Sequence, residues 1–417
     1  MNLLLQPSIC KPKSAISITG SKSETNRLLL LQALFPNIAI ENISNSDDSQ
    51  VMQKALSVSQ EIIDIHHAGT AMRFLTAFFA VQENRTVTLT GSPRMKERPI
   101  KILVDALLQL GAKIEYLENE GFPPIKITGQ KLSKNKFSLP ASVSSQYISA
   151  LLLIASKLEN GIELRLEGEI TSVPYIKMTL ALLNEIGVET SFEGNKIIVT
   201  PSVSSRAQSR GQDPIPQTLT VESDWSSASY FYSIVALAKV ETEITLSSYK
   251  ENSLQGDSAL AEIYKKMGVE TTFYRNKITL VKQPNFKQET LNLELNKTPD
   301  IAQTIVVTCL GLGIGCHLTG LHTLKIKETD RLEALRIELT KLGANISVTN
   351  DSLTLEHSNI INPNIKIGTY NDHRMAMAFA PLALKVPIII QNAEVVSKSY
   401  PDFWNDLKNL GFEMAEI

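Results

Sequence analysis

The stretch LLNEIGVETSFEGNKIIVT, Leu182–Thr200, contains the pattern that decides the fold. Apolar residues at helical spacing lead to Gly187, and the C-terminal end of a helix favours a left-handed residue that has no Cβ. An alternating run follows the glycine, and after the polar turn at Gly194 comes a second alternating run, which is typical of a β-hairpin. The stretch therefore predicts a helix followed by two antiparallel strands.

The same pattern recurs along the chain. Its helix and glycine are found again as LLQLGAKIE at Leu107, IYKKMGVETTF at Ile263 and LTKLGANISV at Leu339, and a truncated copy, LKNLGFEM, closes the chain. The polar turn and the second alternating run follow three of the copies, as EGNKIIVT, YRNKITLV and TNDSLTLE, so three hairpins are predicted. The glycines therefore recur every 68 to 81 residues, at Gly111, Gly187, Gly268, Gly343 and Gly411. Solenoid repeats are shorter, at ~20 to 50 residues, so this period predicts whole mixed α/β subdomains packed into two domains.

Length and composition agree with such an organisation. The chain has 417 residues, of which 43% are hydrophobic and 20% charged, so it is a globular protein and not a disordered one. At ~100 to 200 residues per domain, this length predicts two domains or a few. Lysine plus arginine number 41 against 43 acidic residues, and this balance argues against a general nucleic-acid or membrane-surface binder.

Cysteine usage and the N-terminal residues predict a cytoplasmic protein. The chain has three cysteines, Cys10, Cys309 and Cys316. They lack zinc-site spacing and cannot all pair with one another, which indicates a reducing compartment and no structural metal. The opening MNLLLQPS has no basic segment before its short apolar run, so it does not resemble a secretory signal.

Two other segments bear on the organisation. Ile301–Gly320 is apolar enough to suggest a membrane span, but its Gln303, His317 and glycines favour a buried helix that ends near Gly311. Ser202–Gln217 is rich in serine, glutamine and proline, which predicts a loop. That loop is either a domain boundary or a surface insertion.

Small or hydroxylic residues lie next to cations at several predicted helix starts, and this combination suits phosphate and carboxylate binding. The first half of the chain has four such segments: GSKSETNR (Gly20–Arg27), AGTAMR (Ala68–Arg73), PRMKERP (Pro93–Pro99) and SSQY (Ser144–Tyr147). Gly69 would allow a ligand to approach the backbone closely. The alternative for each segment is a capped helix or a solvated charge run before it, as at Arg94, Lys96 and Arg98, with Pro99 in the first helical turn.

The second half has two more segments, in which acids and bases lie side by side at a helix start. They are KETDR (Lys327–Arg331) and NDHRMAM (Asn371–Met377). Asp300, in TPDIAQT, precedes the apolar helix, and its alternative role is to cap that helix. None of these segments is a metal-binding or P-loop motif.

Taken in this order along nearly the whole chain, these strings and the final KSYPDFW resemble the 5-enolpyruvylshikimate-3-phosphate synthase family of enolpyruvyl transferases. The resemblance implies an α/β fold of two domains, each built from βαβαββ-like units around buried helices. Residues 20–222 would form the first domain, and residues 1–19 and 223–417 the second. A double crossover hinge would join them, and the active site would lie in the cleft.

The resemblance also implies the reaction. The enolpyruvyl group of phosphoenolpyruvate would pass to the 5-hydroxyl of shikimate 3-phosphate, with release of phosphate, in chorismate and aromatic amino-acid biosynthesis. No cofactor or metal is implied. The partners would be the two small substrates alone, with no nucleic acid or membrane, and the chain would be a monomer.

Site residues carry over from the family position by position. The shikimate 3-phosphate site would comprise Lys22, Ser23, Arg27, Ser144, Ser145, Gln146, Ser172, Tyr175, Asp300 and Lys327. The phosphoenolpyruvate site would comprise Lys22, Gly69, Arg98, Gln146, Arg331, Arg374 and Lys398. Asp300 would accept the hydroxyl proton, and Glu328 and Lys22 are the candidates for proton transfer at the methylene carbon.

The sequence departs from the family pattern at a few positions. His67 and Thr323 stand where the family has asparagine, and Phe74 stands where it has proline. The segment Asn42–His66 is shorter than usual and has no copy of the glycine pattern, so one repeat unit is expected to be reduced.

The sequence leaves two other functions as alternatives. The sister enzyme, UDP-N-acetylglucosamine enolpyruvyl transferase, shares the fold, but Ser23 replaces its signature asparagine and its reactive cysteine has no counterpart here. A non-catalytic binding module of the same fold is the other alternative. The presence of Lys22, Asp300, Glu328 and Arg374 argues against it.

Overall fold

The computed structural model separates the chain into two units, each with its own hydrophobic core. One unit is Gly20–Val221, and the other combines Met1–Thr19 with Glu222–Ile417. The structure describes residues 1–141, 144–168, 170, 173–201, 217–284 and 289–417. Nearly all of the predicted loop Ser202–Gln217 lies outside these residues.

Among the described residues of the Gly20–Val221 unit, two sheets have four strands and share one topology. In spatial order, the first contains Ile62–Asp64, Thr86–Thr90, Ile125–Thr128 and Lys113–Tyr116. The second contains Lys136–Pro140, Ile162–Glu167, Lys196–Val199 and Thr190–Glu193. In each sheet the first pair is parallel and the other pairs are antiparallel, which is the βαβαββ arrangement.

A third sheet of this unit is smaller. Ile38–Glu41 pairs in parallel with Gln217–Thr220, and these are its two strands among the described residues. The chain between Asn42 and His66, where the glycine pattern is missing, forms a helix and a strand of the neighbouring sheet. Within the described residues, this third sheet therefore has two strands where the other sheets have four, as expected for a reduced repeat unit.

The helices of this unit include some that are buried nearly all round. Their bounds are Lys22–Leu34, Asp47–Ser57, Gly69–Ala80, Pro93–Lys96, Lys101–Leu110, Ser145–Ala155 and Val173–Glu185. Every residue of Gly69–Ala80 except Thr70 is buried, and every residue of Ser145–Ala155 except Gln146. A helix that is apolar on all faces belongs inside a core, so the sheets surround these two helices.

The other unit has three four-stranded sheets of the same topology within its described residues. They are, in spatial order, Lys13–Ile16, Glu243–Ser247, Lys277–Lys282 and Val269–Tyr274; Leu291–Glu294, Cys316–Thr319, Leu353–Leu355 and Ile346–Val348; and Ile365–Ile367, Ile388–Ile390, Leu3–Leu5 and Met414–Glu416. Strands from Met1–Thr19 complete two of these sheets, which explains why the N-terminal segment belongs to this unit.

Buried helices again form the centre. The α-helices are Trp225–Leu237, Leu260–Lys265, Ala302–Leu312, Arg331–Lys341, His373–Phe379 and Phe403–Asn409. Short 3-10 helices lie at Gly256–Ala259, Pro299–Ile301, His322–Ile326, Ala380–Leu384 and Ala393–Lys398. Trp225–Leu237 is buried along its whole length, so it lies at the centre of this core.

The glycine pattern behaves as the sequence predicts. All five repeat glycines have a positive φ, between 78° and 100°, and each follows a helix. The three predicted hairpins are antiparallel strand pairs. These results, with the sheet topology, confirm the predicted mixed α/β fold built from repeated units.

Two predicted helix boundaries need correction or refinement. Pro99 does not lie in a first helical turn, because the helix begins at Lys101, after Ile100. A separate short helix, Pro93–Lys96, precedes it, with Ser92 as its N-cap. The apolar helix in Ile301–Gly320 ends at Leu312 with Gly313 in the left-handed conformation, two residues beyond the predicted Gly311.

Within the described part of the chain, no helix is both long and apolar enough to cross a bilayer. The three cysteines are buried and unbridged.

Candidate functional site

Most of the sequence-predicted site residues lie at or near the starts of helices, and each unit holds its own set. In the Gly20–Val221 unit, Lys22 and Ser23 begin one helix, Gly69 begins a second and Ser145 begins a third. Ser144 is the N-cap of the third helix, because its Oγ accepts from the Gln146 N–H over 3.4 Å. Helix starts present N–H groups and positive potential, so their grouping suits anionic ligands.

Arg27 lies inside a polar cluster of the same unit. Its Nε donates to Thr179 Oγ1 over 2.8 Å, and its Nη2 donates to Ser149 Oγ over 2.9 Å. Its Nη1 donates to the carbonyl oxygen of Ser23 over 2.6 Å. Burial lowers the pKa of Arg27 to about 10, which still leaves it charged at neutral pH. Arg27 thus ties the first helix to two others.

Aromatic rings flank this guanidinium. The Phe74 ring lies 5.4 Å from Arg27 Cζ and the Tyr175 ring 5.8 Å from it, both within cation–π distance. Phe74 therefore occupies the family's proline position as a packing partner of Arg27. Ser172, which the resemblance assigns with Tyr175 to the shikimate 3-phosphate site, is outside the described residues.

Gly69 and Arg98 are in direct contact. A Cβ placed on Gly69 would lie 2.6 Å from Arg98 Nη1 and 2.8 Å from Nη2. The close approach predicted for a ligand at Gly69 is thus made here by the Arg98 guanidinium. Gln146 adjoins the same helix start, because its Nε2 donates to Thr70 Oγ1 over 3.3 Å. Three predicted phosphoenolpyruvate residues are therefore grouped together.

Arg73 fixes the backbone on either side of this group. Its Nη1 donates to the Gly69 carbonyl oxygen over 3.0 Å, and its Nη2 to the Pro99 carbonyl oxygen over 3.1 Å. The Tyr147 hydroxyl also donates to Pro99 O, over 2.6 Å. Burial lowers the pKa of Arg73 to about 10. Arg73 is therefore a structural link between the two segments that carry Gly69 and Arg98.

The charge run before the helix divides into two kinds of residue. Arg94 and Lys96 form ion pairs at the surface, with Glu97 over 2.9 Å and Glu118 over 2.7 Å. These two follow the solvated alternative, while Arg98 lies against the helix start. Lys22 is 3.5 Å from Asp48 Oδ2, a partner that no motif indicated. His67 is exposed and shares a 2.8 Å hydrogen bond with Ser92.

In the other unit, Arg331 is 1% exposed and lies among three carboxylates. Its Nε donates to Asp372 Oδ2 over 2.6 Å, its Nη1 to Asp300 Oδ1 over 2.8 Å and its Nη2 to Glu328 Oε2 over 2.8 Å. The KETDR and NDHRMAM segments, together with Asp300, are therefore joined through one guanidinium. Asp372 also caps its own helix by accepting from the Arg374 N–H over 2.9 Å.

Asp300 faces two further cations. Lys327 Nζ is 3.4 Å from its Oδ1, and Arg374 Nη2 is 3.5 Å from its Oδ2. Burial opposes ionisation, but Lys327, Arg374 and Arg331 together hold the pKa of the Asp300 carboxyl well below its usual range. Asp300 is therefore a carboxylate at neutral pH. It does not cap the following helix, so the capping alternative is wrong.

Two more predicted positions belong to this unit. Lys398 Nζ donates to the carbonyl oxygen of Asn371 over 2.6 Å, next to the Asp372 and Arg374 segment. Thr323 Oγ1 is buried and has no hydrogen-bond partner among the described residues. An asparagine here would bring an amide to the same place, so the substitution changes which groups can be bonded.

Sequence reasoning missed Asp257. It is 6% exposed and accepts a hydrogen bond from the Ser226 hydroxyl, while Arg374 Nη2 donates to the same hydroxyl over 3.2 Å. Ser226 lies in the first turn of the Trp225–Leu237 helix, whose start is rich in serine. In the sequence, Asp257 appears in GDSALAE as an acidic residue with no basic residue beside it. Such a residue usually caps a helix, so the local sequence did not point to a role in the site.

The comparisons with known proteins identify the family. The family model for EPSP synthase (3-phosphoshikimate 1-carboxyvinyltransferase) matches residues 52–407. A protein named 3-phosphoshikimate 1-carboxyvinyltransferase from Bacteroides fragilis (strain YCH46) is 46% identical over 409 residues, which cover 96% of each chain. The chain belongs to the EPSP synthase family.

Other relatives and solved structures match at lower identity. The 3-phosphoshikimate 1-carboxyvinyltransferase of Mannheimia haemolytica is 34% identical over 439 residues, covering 98% of this chain and 99% of that one. Among solved structures, EPSP synthase from Acinetobacter baumannii has a TM-score of 0.80 at 21% identity, with both chains covered completely. The enolpyruvyl transferase NikO from Streptomyces tendae has a TM-score of 0.72 at 14% identity, with 99% of this chain and 98% of that one covered.

These findings confirm the predicted family and the predicted two-domain enolpyruvyl-transferase fold. They also favour the EPSP synthase function over the sister enzyme and the binding module. In each unit, the arginine and lysine side chains of the predicted site can bind phosphate and carboxylate groups. The carboxylates beside them can exchange protons. Among the described residues, no three His, Cys, Asp or Glu side chains are placed to hold a metal ion.

Proposed function

We propose that this chain transfers the enolpyruvyl group of phosphoenolpyruvate to the 5-hydroxyl of shikimate 3-phosphate and releases phosphate. The observation that carries the proposal is the 46% identity to a 3-phosphoshikimate 1-carboxyvinyltransferase over 96% of both chains. The charge of the site supports it, since each substrate has a phosphate and a carboxylate and the site is rich in arginine and lysine.

In this proposal, hydroxyl, amide and cationic side chains of the protein bind shikimate 3-phosphate. The residues assigned to it are Lys22, Ser23, Arg27, Ser144, Ser145, Gln146, Ser172, Tyr175, Asp300 and Lys327. Arg27 acts mainly through its neighbours, because its bonds to Ser149 and Thr179 already hold it between helices. Lys327 is one-third exposed and is the more available cation for the ligand.

Phosphoenolpyruvate binds the residues Lys22, Gly69, Arg98, Gln146, Arg331, Arg374 and Lys398. Arg98 presents its guanidinium at the start of the Gly69–Ala80 helix, where the helix dipole adds positive potential. Arg331 already donates to three carboxylates, so its contribution to anion binding is smaller than that of Arg374, which is 13% exposed.

Proton transfer is assigned to Asp300, Glu328 and Lys22. With its pKa held low by the surrounding cations, Asp300 is a weak base until the substrates arrive. Anionic substrate groups next to Lys327 and Arg374 would offset their charge, and the pKa of Asp300 would then rise toward a value useful for accepting the hydroxyl proton. Glu328 and Lys22 are the groups proposed to move protons at the methylene and methyl carbon.

The proposal extends to the setting of the enzyme. It acts as a cytoplasmic monomer, with its two substrates as partners and with no nucleic acid or membrane. Its product enters chorismate and aromatic amino-acid biosynthesis.

Phosphate release from phosphoenolpyruvate tests the proposal. Release should require shikimate 3-phosphate as the acceptor, and UDP-N-acetylglucosamine should not replace it. Release with the nucleotide sugar would show the sister activity instead. Binding of both substrates without any release would identify a non-catalytic module.

A further inference from the structure

Asp257 is a buried carboxylate that the assigned mechanism does not use. It lies in the 3-10 helix Gly256–Ala259 and is 6% exposed. Its hydrogen-bond partner is the hydroxyl of Ser226, which is 7% exposed, in the first turn of the Trp225–Leu237 helix. A buried charge is costly unless it is bonded, so a carboxylate kept at this position calls for an explanation.

The direction of the hydrogen bonds supplies one. Ser226 has one O–H to donate and lone pairs with which to accept. It donates to Asp257 and accepts from Arg374 Nη2 over 3.2 Å. An ionised Asp257 can only accept a hydrogen bond, so the Ser226 hydroxyl proton points toward Asp257. A lone pair of the Ser226 oxygen then faces Arg374. A neutral, protonated carboxyl could donate instead and would release this constraint.

Arg374 needs such a constraint. Its other bonds are to the Asp300 carbonyl oxygen over 3.2 Å and an ion pair with Asp300 Oδ2 at 3.5 Å. We propose that Asp257 is a positioning residue, which acts through the Ser226 hydroxyl to orient the Arg374 guanidinium toward phosphoenolpyruvate. This inference rests on the proposed function, in which Arg374 binds that substrate.

The charges around Asp257 point to a pH dependence. Burial and the nearby Asp300 raise the pKa of Asp257 to about 6, Asp224 adds to this, and Arg374 and the Ser226 hydrogen bond oppose it. Because the folded-state pKa is raised, ionised Asp257 lowers the stability of the fold above pH 6, and this cost is relieved as the pH falls from about 6 toward the unfolded value near 4. The orienting effect of Asp257 is therefore expected to weaken as the pH falls through about 6.

The variants Asp257→Asn and Ser226→Ala test the proposal, with Ser233→Ala as control. Ser233 is a buried serine two turns along the same helix, where it accepts from Thr308 Oγ1 over 2.8 Å. We expect Asp257→Asn and Ser226→Ala each to raise the KM for phosphoenolpyruvate about tenfold, because each variant removes one oriented hydrogen bond. The KM for shikimate 3-phosphate should be unchanged in these variants, and the control Ser233→Ala should keep the wild-type KM for both substrates. The melting temperature of Asp257→Asn at pH 7 should be no lower than that of the wild type.

The pH profile gives the sharpest readout. The ratio of wild-type to Asp257→Asn kcat/KM for phosphoenolpyruvate should be constant above pH 7 and fall toward one below pH 6, because protonated Asp257 resembles asparagine. Ionisation of the substrate cancels in this ratio. A ratio that does not change with pH, or a KM for phosphoenolpyruvate equal to that of the wild type, would overturn the inference.

Calorimetric binding of phosphoenolpyruvate in the presence of shikimate 3-phosphate separates this result from a failure of the proposed function. If the wild type binds both ligands and releases no phosphate, the proposed function is wrong. An unchanged Kd in Asp257→Asn then overturns the positioning role as well, and a Kd raised about tenfold supports it.

Discussion

At the scale of single residues, the Arg331 group balances the charge of a buried guanidinium. Three carboxylates bond one guanidinium, and Lys327 and Arg374 add positive charge at Asp300. Removing one member of such a group leaves its partners buried and unpaired, so the effect of a substitution depends on what remains. Asp300 keeps two cations besides Arg331, whereas Glu328 is held by Arg331 over 2.8 Å and is 28% exposed.

We expect Asp300→Ala and Glu328→Gln each to lower kcat by ~10² or more, because a general acid or base is removed. Substrate binding should survive, since the cations Lys327, Arg331 and Arg374 remain. Glu333→Gln is the matched control: Glu333 lies on the Arg331–Lys341 helix and pairs with Arg336 at the surface. Steady-state kinetics with saturating substrates measures the effect. A kcat near the wild-type value in either variant would remove that residue from proton transfer.

At the scale of elements, the start of one helix is contacted by a side chain from another segment of the chain. Arg98 comes from the segment between the Pro93–Lys96 and Lys101–Leu110 helices, and it lies on the start of the Gly69–Ala80 helix because Gly69 has no Cβ. Arg73 bonds both segments and keeps them in register.

Gly69→Ala should therefore displace Arg98 and leave the fold intact. The contact atoms belong to the far end of a flexible side chain, and Gly69 has no positive φ, so alanine suits the helical backbone. We expect kcat/KM for phosphoenolpyruvate to fall about 10- to 100-fold, as for other small misplacements of a binding group. The melting temperature should hold. In an Arg98→Ala background the same substitution should have little further effect, and an additive loss would show that the two residues act separately.

The elements that sequence could predict are those with a local cause. Gly187 and its four counterparts are left-handed because each ends a helix, and the polar turn after each strand fixes a hairpin. Contacts between distant segments have no such signal: Asp257 is 31 residues from Ser226, and Asp48 is 26 from Lys22. The motif resemblance found Asp300, Glu328 and Arg374, but the local sequence did not indicate that Arg331 joins their segments.

At the scale of the whole molecule, the proposed ligands of each substrate come from both units. We propose the two connections near Thr19–Gly20 and Val221–Glu222 as a hinge, since they are the places where the chain passes from one unit to the other. Saturating shikimate 3-phosphate should lower the radius of gyration in small-angle X-ray scattering. Inorganic phosphate at equal ionic strength is the control. An unchanged radius with bound ligand would contradict closure.

Turnover of the whole enzyme should not depend on a divalent ion. The reaction must stabilise negative charge as the phosphate departs, and a metal is one way to do so while fixed cations and helix starts are another. Lys22, Arg98, Arg331, Arg374 and Lys398 are the proposed cations here. The acids around Arg331 are already committed, because Asp300, Glu328 and Asp372 bond its guanidinium directly, and a divalent ion would have to displace that guanidinium. We therefore expect full activity after exhaustive dialysis against EDTA. Activity lost on chelation and restored by magnesium would show that the arginines do not suffice, and a loss that magnesium does not reverse would point to damage by the treatment.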